Sequence, residues 1–112
     1  MNKLTNSSVF YLKDLIDVKP GRIASRNLSL PFHPDGSATE QEWVLYTMDQ
    51  QETISAETSP RHKLIQVLDG ELTMMVAGQL RSLTSGASII VPAHTWHEFE
   101  ASKSCIFLQI SL

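Results

Sequence analysis

The chain has 112 residues, a formal net charge of −3 and a sequence pI of about 5.7. This length predicts one domain with a single core. The acidic balance and the scattered lysines and arginines argue against a nucleic-acid or anionic membrane surface, and no apolar run approaches the roughly 20 residues of a membrane span. Because the only cysteine is Cys105 and the start lacks a signal-like apolar stretch, we expect a cytoplasmic protein without disulfides.

The only helical candidate lies near the start of the chain. In the segment YLKDLIDV, residues 11–18, Leu12, Leu15 and Ile16 recur at helical spacing, and a Pro-Gly pair follows it. A helix of this length is too short to carry a core. The sequence therefore predicts at most one short N-terminal helix.

Strand patterns take over after this segment. Residues 21–30 alternate apolar and polar side chains, residues 31–38 are dense in turn formers and predict an exposed loop, and residues 42–49 are rich in β-branched and aromatic types. In KLIQVLDGELTMMVAGQLRSL, Asp69-Gly70 and Ala77-Gly78 each separate apolar runs at hairpin spacing. These two pairs predict two consecutive tight turns.

Three further apolar runs, ASIIVP, WHEFEA and SCIFLQISL, complete the chain. The total is seven or eight short strands with frequent turns, which is typical of a β-sandwich or a small barrel. Several strands are apolar on both faces. This pattern fits a closed barrel whose outer face packs on a second sheet or a partner chain.

Two stretches resemble the sequence motifs of the cupin superfamily. Gly86, Pro92 and His97 in GASIIVPAHTWH match the second cupin motif, with His94 where a glycine is usual, and KLIQVLDGEL, ending near Gly70, is similar to the end of the first. The resemblance covers residues 42–112, with residues 1–41 as leading strands and loop, in one cupin-like domain over 1–112. It implies an antiparallel jelly-roll β-barrel and a homodimer in which the strand around VFYL joins the partner's sheet.

The resemblance also implies where a metal site would lie. Catalytic cupins bind one divalent metal through a His-x-His pair, a glutamate and the second-motif histidine. Matched residue by residue, the pair falls at Glu57 and Ser59, the glutamate at Lys63 and the last histidine at His97. Three of the four usual ligands are therefore replaced.

One interpretation is a small-molecule-binding protein without a catalytic metal, acting as a sensor or accessory protein. A protonated lysine has no lone pair for a cation, so an inward Lys63 would stand where the metal's charge was. Glu57, Lys63 and His97 could instead supply metal-free acid/base catalysis. The predicted pocket is lined by Glu57, Lys63, His97, Ile65, Phe99 and Phe107.

The alternative is a metal enzyme of dioxygenase or isomerase type, with zinc, iron, nickel or manganese held by Glu57, His62 and His97. Strand alternation puts His62 and Lys63 on opposite faces, so the direction of these two side chains separates the hypotheses. Two simpler interpretations are a core histidine at His97 and a lysine whose head reaches solvent at Lys63. The sequence does not decide whether the protein is an enzyme.

Overall fold

A computed structural model describes residues 4–28 and 41–112 of the chain. These residues contain one 3₁₀ turn, Leu12–Asp14, and seven β-strands. The strands are β1 (Ile23–Asn27), β2 (Glu42–Met48), β3 (Thr53–Glu57), β4 (Lys63–Val76), β5 (Gln79–Thr84), β6 (Ser88–Val91) and β7 (His97–Ser111). Within the described ranges, no helix has the length and apolar character needed to cross a membrane.

The two longest strands organise the barrel. β4 and β7 pair antiparallel along nearly their whole length, from Lys63 opposite Ser111 to Val76 opposite His97, and their register shifts midway. The first half of β4 also pairs with β6, and the second half of β7 pairs with β2 and through it with β1. The remaining halves pair with β5 and β3. The two long strands thus join both halves of one seven-stranded antiparallel sheet, as expected for a jelly-roll barrel, and the predicted fold class is confirmed.

The first predicted hairpin is wrong. Asp69 and Gly70 lie inside β4, where the pairing with β7 is irregular, and Gly70 has a φ of 86°. A Cβ at this position would lie 2.0 Å from the carbonyl oxygen of Ser104, so the bent strands approach too closely for a side chain. A glycine with positive φ serves a bulge as well as a turn, and here the long-range pairing selects the bulge.

The second predicted hairpin is observed. Val76 faces Gln79 across a two-residue loop, and Ala77 and Gly78 have φ values of 51° and 78°, as a type I′ turn requires. The predicted helix over 11–18 is reduced to its 3₁₀ turn because so short a segment gains little from helix formation and instead packs its leucines on the sheet. The loop predicted at 31–38 lies outside the described residues.

Strand alternation separates an inner and an outer apolar cluster. The inner cluster fills the barrel, and its buried members are Met48, Ile65, Val67, Leu72, Met74, Leu83, Val91, Phe99, Ala101, Cys105 and Phe107. On the outside, Leu15 from the N-terminal segment packs against Leu45 and Leu108, which share one face of β2 and β7. The N-terminal segment therefore covers part of the outer sheet surface.

The bend of the long strands is closed by hydrogen bonds to one carboxylate. Asp49 accepts bonds from the backbone N–H of Gly21 at 2.6 Å, the N–H of Gln50 at 2.8 Å and the hydroxyl of Ser104 at 2.7 Å. These donors hold the pKa of Asp49 below its usual range, with the Gly21 N–H the largest cause. This end of the barrel is consequently joined across β2, β7 and the segment leading into β1.

Candidate functional site at the mouth of the barrel

The opposite end of the barrel, here called the mouth, brings three of the predicted site residues together. Because β4 and β7 bend, the start of β4 and the start of β7 meet there beside the end of β3. One oxygen of Glu57, Oε1, lies 3.4 Å from Nζ of Lys63 and 3.5 Å from Nε2 of His97. The carboxylate thus bridges the two nitrogen groups.

Lys63 is directed into the barrel. It shares the inner face of β4 with Ile65 and Val67, and its side chain retains only 10% of its exposure. Among the described residues, Glu57 is its only hydrogen-bond or ion-pair partner. Burial removes water from the ammonium, and one long contact with a carboxylate compensates only weakly for that loss.

His62 is directed away from the mouth cluster. The residue is exposed, and its Nδ1 accepts a hydrogen bond of 3.0 Å from the backbone N–H of Ala93. The strand alternation that turns Lys63 inward therefore turns His62 outward. The structure does not bring His62 together with Glu57 and His97.

The ring of His97 is held in a fixed orientation. Its Nδ1 lies 2.8 Å from the carbonyl oxygen of Thr95, and a carbonyl can only accept, so Nδ1 carries a proton. The ring also makes an edge contact with Phe99, with centroids 5.6 Å apart. The side chain is 1% exposed, and Nε2 has no hydrogen-bond partner in the described part of the chain.

The loop before β7 is tied to the segment before β4. The N–H of His94 donates to the carbonyl oxygen of Ser59 at 2.6 Å, and the contact of Ala93 with His62 lies beside it. His94 has a φ of 62°, a left-handed conformation that glycine adopts at least cost. These bonds join the segment that precedes Lys63 to the loop that precedes His97, and the φ value explains why a glycine suits position 94.

An aromatic stack continues from the cluster into the barrel. Phe99 stacks on Phe107 with centroids 5.5 Å apart, and Phe107 stacks on Tyr46 at 5.1 Å. Phe99, Phe107 and Ile65, all predicted pocket residues, are buried in the inner cluster. Their role in binding stays a prediction.

Sequence reasoning missed two polar residues of the same interior. Burial, followed by the negative charges of Glu57 and Glu42, raises the pKa of Tyr46, so its phenol stays protonated, while a hydrogen bond with Gln109 acts against the rise. Gln109 is itself buried. The sequence feature that could have indicated Gln109 is its position as the one amide inside the apolar run CIFLQISL. For Tyr46 it is the strand alternation, which puts Tyr46 and Leu45 on opposite faces.

The donor set at the mouth does not fit the metal that the cupin resemblance implies. Two of its groups, Glu57 and His97, can ligate a cation, but the third is an ammonium whose charge repels one. In the described ranges, no three side chains of His, Cys, Asp or Glu are grouped to hold a metal ion. A lysine nitrogen therefore takes the place of a third ligand.

A groove of about 360 Å³ lies beside this cluster. It is formed on the outer face of β3, β7, β4 and β5, and its lining includes Thr53, Met75, Leu80 and Glu98. None of the three mouth residues lines it. Phe99, whose ring contacts His97, does line it, so the groove adjoins the mouth through this one side chain.

Comparison with known proteins gives a consistent result. Residues 44–111 match the family model described as a cupin domain. A cupin superfamily protein from Desulfitobacterium hafniense is 22% identical, with a TM-score of 0.85 and coverage of 99% of this chain and 95% of that one. A cupin 2 conserved barrel domain protein from Leptotrichia buccalis is 24% identical, with a TM-score of 0.81 and coverage of 92% and 47%.

A third similar structure is KdgF from Halomonas sp., which is 19% identical, with a TM-score of 0.68 and coverage of 94% of each chain. At these identities the likeness concerns the fold alone. Among curated proteins no match was found.

Proposed function

The chain belongs to the cupin family, and we propose that it binds a small organic ligand at the mouth of its barrel, where Lys63 replaces the family's metal. The observation that carries this proposal is the direction of Lys63, whose Nζ lies within 3.4 Å of Glu57 Oε1 inside the barrel. A cupin that holds its ligand by a fixed side-chain charge is suited to a sensor or accessory role.

The first experiment is a metal-uptake assay with a matched variant. Wild-type protein is incubated with zinc, iron, nickel or manganese, desalted and measured by elemental analysis, beside Lys63→Glu. We expect substoichiometric metal in the wild type, and uptake in Lys63→Glu because two carboxylates and His97 then form a ligand set. Near-stoichiometric metal in the wild type, lost in His97→Ala, would overturn the proposal in favour of a metal-dependent cupin enzyme.

The second experiment is a thermal-shift screen of small organic molecules. A ligand at 100 times its Kd stabilises the native state by about 2.7 kcal/mol, which gives a clear rise in Tm. Hits that act through this site should lose their shift in Lys63→Met and in His97→Ala. Folding collapse of His97→Ala would instead support a core role for that histidine.

A second candidate function rests on the same cluster. Glu57 lies 3.5 Å from a buried imidazole nitrogen that has no hydrogen-bond partner among the described residues. Such a pair is suited to general acid/base catalysis without a metal. Turnover of a ligand found in the screen, abolished in Glu57→Gln, would favour the enzyme over the binding protein.

The assembly and location of the protein belong to the same proposal. Val9 and Tyr11, in the segment expected to join a partner's sheet, are exposed, with 89% and 67% of their surface accessible. This exposure supports a homodimer, which sedimentation would test. We propose a cytoplasmic location on the basis of the single cysteine, Cys105, which is buried and unpaired.

A further inference from the structure

Two buried nitrogen atoms at the mouth have unused hydrogen-bonding capacity. Lys63 offers three N–H donors, but Glu57 is its only partner in the described ranges. Nε2 of His97 has none. Buried polar groups are nearly always satisfied in proteins, so these two atoms indicate groups that a ligand supplies.

Lys63 calls for an anion. Its ammonium lies in the barrel with a side-chain exposure of 10%, where a charge-assisted bond is stronger than in water. Glu57 offers the carboxylate at present, but its side chain is 44% exposed and its oxygen is 3.4 Å away. A carboxylate carried by a ligand could approach more closely and release Glu57 to solvent.

His97 calls for a hydrogen-bond donor. The Thr95 carbonyl holds a proton on Nδ1, so the tautomer of the uncharged imidazole that this contact selects presents a lone pair on Nε2. A carboxylate cannot satisfy that lone pair, because an ionised carboxylate is an acceptor too. A hydroxyl can satisfy it.

The two requirements meet within the reach of one small molecule. Both nitrogens lie within 3.5 Å of the same Glu57 oxygen, so the groups that serve them must be near neighbours in the ligand. The edge contact of His97 with Phe99 keeps the ring, and thus the lone pair, aimed at this point.

Building on the proposed binding function, we infer that the ligand is a small 2-hydroxycarboxylate. Its carboxylate takes the place of Glu57 at Lys63, and its hydroxyl donates to Nε2 of His97. Glu57 is then an internal competitor that fills the site in the absence of ligand. It is not a ligand-binding residue.

An NMR titration with three matched probes tests this ligand class. Lactate has both groups, propionate lacks the hydroxyl and lactamide lacks the carboxylate. The signals of Lys63 and His97 should respond to lactate, with Kd in the millimolar range expected for a molecule this small. We expect propionate to bind about tenfold more weakly, because it leaves the buried Nε2 unsatisfied, and lactamide weaker still.

Three variants locate the binding. Lys63→Met should weaken the binding of lactate by more than about tenfold, because the positive charge that pairs with its carboxylate is lost. Glu57→Gln should strengthen the binding of lactate by roughly three- to tenfold, because a negative charge that competes for Lys63 and repels the ligand is removed. Glu100→Gln, on the exposed outer face of β7, removes the same charge without touching the site and should change nothing.

Each result supports or overturns the inference. Equal affinity for lactate and propionate, weaker lactate binding in Glu57→Gln, or no response of Lys63 and His97 to lactate would overturn it. If neutral compounds from the thermal-shift screen still bind through Lys63 and His97, the proposed binding function stands and only the ligand class fails. Stoichiometric metal in the wild type would remove the binding function itself.

Discussion

The two ends of the barrel differ in how tightly each holds a carboxylate. At the bend, Asp49 accepts three hydrogen bonds of 2.6 to 2.8 Å, one from the neighbouring Gln50 and two from the distant Gly21 and Ser104. At the mouth, Glu57 faces Lys63 and His97 at 3.4 and 3.5 Å, beyond the usual hydrogen-bond length, and remains 44% exposed. The carboxylate at the bend is held tightly, whereas the carboxylate at the mouth makes only long contacts.

The difference follows from the course of β4 and β7. Where these strands bend, their backbones approach so closely that only a glycine fits at position 70. Where they begin, side chains of β4 and β7 converge on Glu57 at the end of β3. The bend therefore turns the two strands so that Lys63 and His97 both face one oxygen of Glu57 at the mouth.

The largest predicted effect concerns the bend. Gly70→Ala places a Cβ 2.0 Å from the Ser104 carbonyl oxygen at a φ of 86°, and the obstacle is backbone that cannot swing away. We expect a loss of about 3 kcal/mol or more in the free energy of unfolding, from left-handed strain and overpacking together. Urea unfolding measures the change.

Gly86→Ala is the matched control, because its φ is 90° but no atom lies within 4 Å of the added Cβ. Its free energy of unfolding should fall only by the cost of a left-handed conformation for alanine, about 1 to 2 kcal/mol. Equal losses in the two variants would mean that the close approach at the bend does not constrain the fold.

The second prediction concerns the carboxylate at the bend. The pKa of Asp49 is lowered in the native state, so its contribution to stability is fully present above the unfolded-state value of about 3.9 and is lost as the pH falls through the lower native value. Asp49→Asn should therefore be less stable than the wild type at pH 7, and this difference should shrink below about pH 4.

The measurement is a series of thermal melts from neutral to acid pH. Glu100→Gln serves as the control, because Glu100 is exposed on the same barrel and the described residues give it no ion pair. A stability difference for Asp49→Asn that does not depend on pH would contradict the electrostatic role of the bend carboxylate.

The sequence predicted the mouth better than the bend, for a physical reason. Period-two alternation is local, so the sequence correctly put Lys63 and Ile65 on one face of the strand and His62 on the other, but it left open which face points inward. Asp69-Gly70 has the composition of a hairpin, and only the pairing of β4 with residues more than 30 positions later makes it a bulge. Local composition cannot report a distant partner.

The same limit explains β3 and the cluster. Thr53–Glu57 is a short edge strand with alternating exposed residues, and its sequence gives little strand signal. Glu57 was placed near His97 only through the cupin resemblance. One Glu57 oxygen contacts both Lys63 and His97 because two bent strands bring their first residues together. No sequence pattern encodes this arrangement.

The third prediction concerns the loop that sets the mouth. His94 has a φ of 62°, so His94→Gly should stabilise the protein by about 0.5 to 1 kcal/mol while keeping the backbone bond to Ser59. His94→Ala retains the left-handed penalty and should leave Tm close to the wild-type value. A loss of stability in His94→Gly would show that the exposed imidazole has a role of its own.

The smallest effect on stability is expected at Glu57. Its size shows whether the carboxylate at the mouth differs from the one at the bend. Breaking a tight, buried ion pair costs about 3 to 5 kcal/mol, whereas an exposed pair contributes about 0 to 1. Lys63 is buried but Glu57 is half exposed and 3.4 Å away, so Glu57→Gln should change the free energy of unfolding by no more than about 0.5 kcal/mol.

A double-mutant cycle with Lys63→Met isolates the pair energy from other changes. A coupling of several kcal/mol would make Glu57 a fixed structural partner like Asp49, and a ligand carboxylate could then displace it only at that cost. A coupling near zero leaves the Lys63 ammonium available at little cost, because Glu57 can move into solvent when an external carboxylate arrives. The mouth would then be a preformed anion site that its own glutamate covers only loosely.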